Sequence, residues 1–149
     1  MNISAINAIS NTVKNINFGA KKNTGPDFIV NIYKEDSDSF IRKTTIYESY
    51  YNNGDIKNKT VFKDDGTVEK TDYYKGGNIK QTTIEMPSGY SKITKYYPNQ
   101  EVKEKSVISA GKYCRETIEY NKDGSVKKAY RKWSNGITTK LPKDYVLIS

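Results

Sequence analysis

The chain has 149 residues, which suits one domain, and only 35% of them are apolar, which excludes a large oily core. Its net charge of +8 rests on 22 Lys and only 3 Arg, a balance that disfavours base readout and bidentate phosphate clamps, both of which use the planar arginine fork. Histidine is absent, which removes every Ser-His or Cys-His arrangement and the commonest metal ligand, and the single Cys114 excludes an intramolecular disulfide.

Residues 1–26 read as a leader and linker. Ile3, Ile6, Ile9, Val13 and Ile16 stand at helical spacing, which predicts either a short amphipathic helix laid over one face of a sheet or a flexible segment. Gly19, Gly25 and Pro26 break the chain after it. No apolar run reaches signal-peptide or membrane-spanning length, so the expected location is the cytoplasm of a bacterium-like cell.

Residues 27–149 read as a β-repeat domain. DFIVNIYK (27–34) alternates as a strand does, and EDSDS turns into a second strand, FIRKTTIYESYY. Turn signals then arrive at Gly54, Gly66, Gly77, Gly89, Gln100, Gly111, Gly124 and Gly136, separated by 11 to 13 residues. The glycines supply the positive backbone angles that tight hairpins require, and Gln100 breaks the rule. Every second turn, at 54, 77, 100 and 124, is followed by the next after 23, 23 and 24 residues, so the repeating unit is a whole hairpin and the repeats cover about 44–140.

Within each hairpin, the residue four before the turn centre is expected to face the residue two after it. The pairs are Tyr50/Ile56, Phe62/Val68, Tyr73/Ile79, Glu85/Ser91, Tyr96/Val102, Val107/Tyr113, Tyr120/Val126 and Lys132/Thr138, and none mixes apolar with polar. Strict alternation fails along the strands, because Ile56 to Phe62 is an even step and Val68 to Tyr73 an odd one. Either bulges reset the faces or apolar groups lie on both. The expected fold is all-β: an elongated antiparallel meander of about nine to eleven strands, single-layered or gently curved. DYVLIS, within 141–149, reads as a cap over the last repeat or as a tail that docks on a partner.

The recurring Tyr-Tyr-x-x-Gly-x-Ile/Val-Lys pattern runs through Tyr50-Tyr51 to Lys57, Tyr73-Tyr74 to Lys80 and Tyr96-Tyr97 to Lys103, with a degenerate copy from Tyr120 to Lys127. It resembles the variant MORN repeats of the antitoxin-component family of bacterial polymorphic-toxin systems, and more loosely the YD repeats of large secreted toxins. The resemblance implies a β-hairpin array with an antitoxin-like role. Gln100 and the intervening half-repeats depart from the family pattern.

No catalytic, metal or cofactor constellation stands out. Asp64, Asp65 and Asp123 sit in turns, where Asp binds its local backbone, and the Gly76-Gly77 pair lies in a hairpin turn with no helix after it to cradle a phosphate. Cys114 reads as a structural thiol in a strand. The candidate binding face is a column of Lys57, Lys80, Lys103 and Lys127 interleaved with Tyr51, Tyr74 and Tyr97. Simple alternation places the lysines opposite Ile56, Ile79, Val102 and Val126. The reading is a non-enzymatic module that binds another protein. The alternative is an electrostatic binder of nucleic acid or an anionic membrane surface, whose affinity would fall steeply with salt.

Overall fold

A computed structural model of the chain describes residues 28–35 and 41–147, with side chains from Thr44 onward except Lys112. The leader and its expected helix lie outside the described residues. Ten strands follow one another: β1 (Phe28–Glu35), β2 (Ile41–Tyr50), β3 (Ile56–Phe62), β4 (Val68–Tyr73), β5 (Ile79–Glu85), β6 (Ser91–Tyr96), β7 (Val102–Ile108), β8 (Cys114–Tyr120), β9 (Val126–Trp133) and β10 (Thr138–Leu141). They form one open antiparallel sheet in chain order, each strand hydrogen-bonded to the next. Nine strand spacings of about 4.8 Å put the edges about 43 Å apart, against about 24 Å along a seven-residue strand. The meander is elongated across its strands.

Seven of the eight turns between Tyr51 and Ile137 are built alike. At the first, the Tyr51 N–H donates to the Asp55 carbonyl (2.8 Å) and the Gly54 N–H donates back to the Tyr51 carbonyl (2.9 Å), and the same two bonds recur at 63–67, 74–78, 86–90, 97–101, 121–125 and 133–137. The fourth residue of each is left-handed, with φ +88° at Gly54 and +70° at Gln100, the one non-glycine in this position. The third residue closes the loop. Side-chain oxygens of Asn53, Asp65, Ser88, Asn99, Asp123 and Asn135 each accept the N–H two residues on. Asp65 and Asp123 are thus turn-closing residues, and hydrogen bonds hold both carboxyls below the ordinary aspartate range, from the Thr67 N–H to Asp65 and from the Ser125 hydroxyl and N–H to Asp123.

The turn at Gly111 is different, and one expected pair fails there. The Ser109 N–H bonds the Cys114 carbonyl (3.1 Å), enclosing four residues where the other turns enclose three. A 3-10 turn, Ala110–Lys112, fills the extra length, and Tyr113 is expelled to 69% exposure. Val107 therefore faces Glu116, not Tyr113. The other seven pairs form, including Tyr50↔Ile56, Phe62↔Val68 and Lys132↔Thr138.

Bulges account for the broken alternation. Tyr50 shares a face with Glu48, to which its hydroxyl donates a 2.7 Å bond. Ile56 lies on that face too, as the partner of Tyr50. Phe62 lies on the other face, six residues on, because one residue between them is extra to the ladder. Each face is part polar. One carries a chain of opposed residues Thr60, Lys70, Thr83, Ile93, Ser106 and Thr117. The other alternates aliphatic and charged groups, Ile46, Val61, Glu69, Ile84, Lys92 and Val107.

Among the described residues only Val107, Ile118 and Ala129 are buried apolar side chains, with exposures of 8%, 4% and 2%. They lie on adjacent strands β7, β8 and β9, so what core there is sits near the C-terminal end. On the reverse face the hydroxyls of Ser106 and Thr117 meet at 2.9 Å, each fully buried and satisfied by the other. Beyond Leu141 the chain forms no strand up to residue 147. It folds back so that the Tyr145 hydroxyl donates to Glu116 Oε2 at 2.7 Å.

Candidate functional site

The two ends of the sheet differ. At the hairpins centred on 54, 77, 100 and 124 the register slips by one residue, and at the alternate hairpins it does not. Ser49 faces Asn58 while Tyr50 faces Ile56, which leaves Lys57 unpaired. The same slip leaves Lys80 between Ile79 and Gln81, Lys103 between Val102 and Glu104, and Lys127 between Val126 and Lys128. All four column lysines are bulge residues. The simple alternation that places them opposite Ile56 and its copies does not hold, because the bulge falls between the two. Counted from Lys59, which faces Glu48, Lys57 lies on the same face as Ile56.

Bulged residues make no ladder pair and are re-aimed by the local kink. Lys57, Lys80, Lys103 and Lys127 are all exposed. None has a carboxylate within ion-pairing distance among the described residues, whereas the lysines and arginines of the regular ladder commonly do. Glu48 holds Lys59 at 3.2 Å, Glu85 holds Lys70 at 2.8 Å and Glu119 holds Lys128 at 3.0 Å. Pairing in the ladder is not complete, since among the described residues Lys92 and Lys105 have no carboxylate at that distance, but at the bulges all four lysines stand without one.

The second tyrosine of each doublet has a different position from the one its spacing suggests. The Tyr51 hydroxyl donates to the Tyr73 carbonyl (2.8 Å), Tyr74 to the Tyr96 carbonyl (3.0 Å) and Tyr97 to the Tyr120 carbonyl (2.9 Å). Each acceptor lies just past the last pair of its strand with the preceding one, as Tyr73 lies past Asn58↔Asp72, so the bulge leaves it without a ladder partner on that side. A tyrosine of one repeat thus satisfies the backbone of the next. The rings are half-buried, with the Lys75, Lys80 and Lys103 ammonium groups 5.9, 6.0 and 5.7 Å from the centroids of Tyr51, Tyr74 and Tyr97. The lysines and tyrosines are brought together, but the tyrosines are stitched into the sheet. In the fourth repeat Asn121 replaces the second tyrosine, and this ladder stops.

Gln100 explains its own departure from glycine. Its amide nitrogen donates to the Ile79 carbonyl (3.1 Å) and its amide oxygen accepts the Ile79 N–H (3.2 Å), so one side chain pairs with a whole peptide edge of the preceding repeat. Across the gap between the first and second repeats Asp55 accepts the Gly76 N–H (2.8 Å), a bond that holds its carboxyl below the usual range.

Two further clusters escape the motif reading. Burial pushes the Glu104 carboxyl up, but hydrogen bonds from Lys95 and Ser106, with the Lys95 and Arg115 charges, outweigh it and hold it below the ordinary value. Glu116 gathers Arg131 and Tyr145, and Arg131 stacks 5.4 Å from the Trp133 ring. Apart from Ser106, both glutamates have their partners 9 to 29 residues away, so no local motif announces them. Cys114 is half-buried against Ser109, its sulfur 3.7 Å from the hydroxyl. No group of three His, Cys, Asp or Glu residues placed to hold a metal occurs among the described residues. No family model matches the chain, and no curated protein does either.

Proposed function

We propose that the chain is a non-enzymatic β-repeat module that binds another protein, with an antitoxin-like or immunity-like role as its sharpest form. The observation that carries this reading is the row of four exposed lysines, one per repeat, at bulges, none with a carboxylate partner among the described residues. A regular row of uncompensated cations is a surface suited to an incoming anionic group. The perturbed carboxylates support the non-enzymatic side of the reading. Glu48 and Glu104 are engaged by lysines, arginine and hydroxyls of the sheet, and Asp55, Asp65 and Asp123 by turn backbone.

The test is affinity capture with the full chain from its native cell, followed by size-exclusion light scattering of the recovered complex. A single protein in one-to-one ratio supports the reading, and recovery of nucleic acid or lipid alone sinks it. The second reading, an electrostatic binder of nucleic acid or an anionic membrane, draws on the same lysines and on the net charge of +8. Against its single-stranded form, the Tyr74 and Tyr97 rings already carry a lysine of their own repeat and are half-buried, which leaves little ring face for base stacking.

A further inference from the structure

We infer that the bulge lysines receive one partner element in particular: an acidic α-helix lying across the strands, with carboxylates two turns apart along one side. This rests on the protein-binding reading and specifies its contact.

The spacing comes first. Lys57, Lys80, Lys103 and Lys127 occupy β3, β5, β7 and β9, each pair separated by one intervening strand. Two strand spacings are about 9.6 Å. Acidic residues seven apart on a helix are about 10.5 Å apart along its axis. Over three intervals the row spans about 29 Å and four such acids about 31 Å, a mismatch that flexible lysine stems absorb.

Charge density narrows the choice. A nucleic-acid strand carries a charge about every 3.4 Å, roughly three for each lysine in the row. A lipid surface is met by a broad basic field, but the face that carries the row also carries Glu48, Glu69 and Glu116, each holding its own cation. Among the described residues Lys92 and Lys105, on the same face, also lack a carboxylate partner, and what sets the row apart is its spacing, one exposed cation on every second strand. Asp55 and Glu101, two residues before Lys57 and Lys103, are occupied by Gly76 and by Asn99. One carboxylate per lysine, in a line, matches what the sheet presents.

The test uses the full chain at low ionic strength and fluorescence anisotropy. One labelled alanine-rich helical peptide carries four Glu at seven-residue intervals, and a second of identical composition and helicity carries the four Glu in adjacent positions. The expected result is at least about tenfold tighter binding of the periodic peptide. A protein with Lys57, Lys80, Lys103 and Lys127 all changed to Gln is expected to lose that preference with an unchanged circular dichroism spectrum. Lys140→Gln, on an exposed site outside the row, is expected to keep it. Equal binding of the two peptides overturns the inference, as does a quadruple variant that binds like wild type. So does tighter binding of a single-stranded oligonucleotide or a phosphatidylserine vesicle than of the periodic peptide. A native partner whose capture survives the quadruple substitution overturns the helix contact and leaves the protein-binding reading standing.

Discussion

Removing the hydroxyl of Tyr97 tests whether the tyrosine ladder joins the repeats. Tyr97→Phe keeps the half-buried ring and the neighbouring Lys103 but deletes the 2.9 Å bond to the Tyr120 carbonyl. A hydrogen bond of this kind contributes about 1 kcal/mol net. Tyr120 sits at a partly buried bulge, so water only partly replaces the lost donor. The expected loss is about 1 kcal/mol, or about 2–4 °C in melting temperature for a chain of this size. Tyr51→Phe and Tyr74→Phe delete the equivalent bonds two repeats and one repeat earlier, and because the sites share no partner the triple variant should lose about 3 kcal/mol. The control is in the same doublet. Among the described residues the Tyr96 hydroxyl makes no hydrogen bond, so Tyr96→Phe should change stability by less than about 0.5 kcal/mol. Urea unfolding followed by circular dichroism measures all five variants. If Tyr97→Phe costs no more than Tyr96→Phe, the hydroxyl does not bind the repeats together and the reasoning fails.

Gln100→Gly relieves a left-handed non-glycine residue, worth about 1 kcal/mol, while losing two exposed bonds to Ile79, and should come out close to neutral. Gln100→Ala keeps the strain and loses the bonds, so it should be less stable than both the wild type and the glycine variant, by about 1 kcal/mol each, and an alanine variant as stable as wild type in urea titration would refute the bidentate role. In acid, Glu104 has a folded value below its ordinary one, so its contribution is complete above the ordinary carboxylate value and is lost as pH falls through the lowered one. Glu104→Gln should therefore flatten the acid limb of the stability profile measured by melting temperature. In alkali, the bond to Glu48, burial and the Glu48 charge push the Tyr50 hydroxyl up to about 12, so its contribution is complete below the ordinary value of 10.0 and is lost between there and about 12. Ultraviolet titration of phenolate absorbance should show a late fraction, shared with Tyr90 and Tyr145, whose hydroxyls are also raised, and Glu48→Gln should shrink it by one tyrosine.

The turns were legible because their chemistry is local. A left-handed position calls for glycine, and an Asn, Asp or Ser one residue earlier supplies the closing oxygen, as in Asn53-Gly54 and Asp123-Gly124. Counting outward from those turns gives seven correct cross-strand pairs, and it fails only where the turn before Cys114 is one residue longer. The bulges were only half legible. The uneven steps between apolar positions required either bulges or two apolar faces, but Tyr50↔Ile56 and Phe62↔Val68 have the same spacing, though only the first adjoins a slip. Nothing in a single hairpin separates them. The role of Tyr51, Tyr74 and Tyr97 was hidden for a related reason. Their acceptors are carbonyls 22 and 23 residues away that want a donor only because the bulge has taken theirs. The sequence marked these tyrosines as surplus to each hairpin, and they are surplus there, since they serve the next one.

That forward reach gives the array a direction. Each hydroxyl points from an earlier repeat to a later one, and at the last unit Asn121 turns inward, its amide bonding Ser125 in its own loop. A duplication of two strands inserted anywhere before that unit would arrive with its own donor and its own acceptor. A duplication of one strand would bring a bulged end against a plain one and strand both. A gene for such a protein can lengthen or shorten in steps of a hairpin, and Asn121 serves as the stop that lets any number of copies end cleanly.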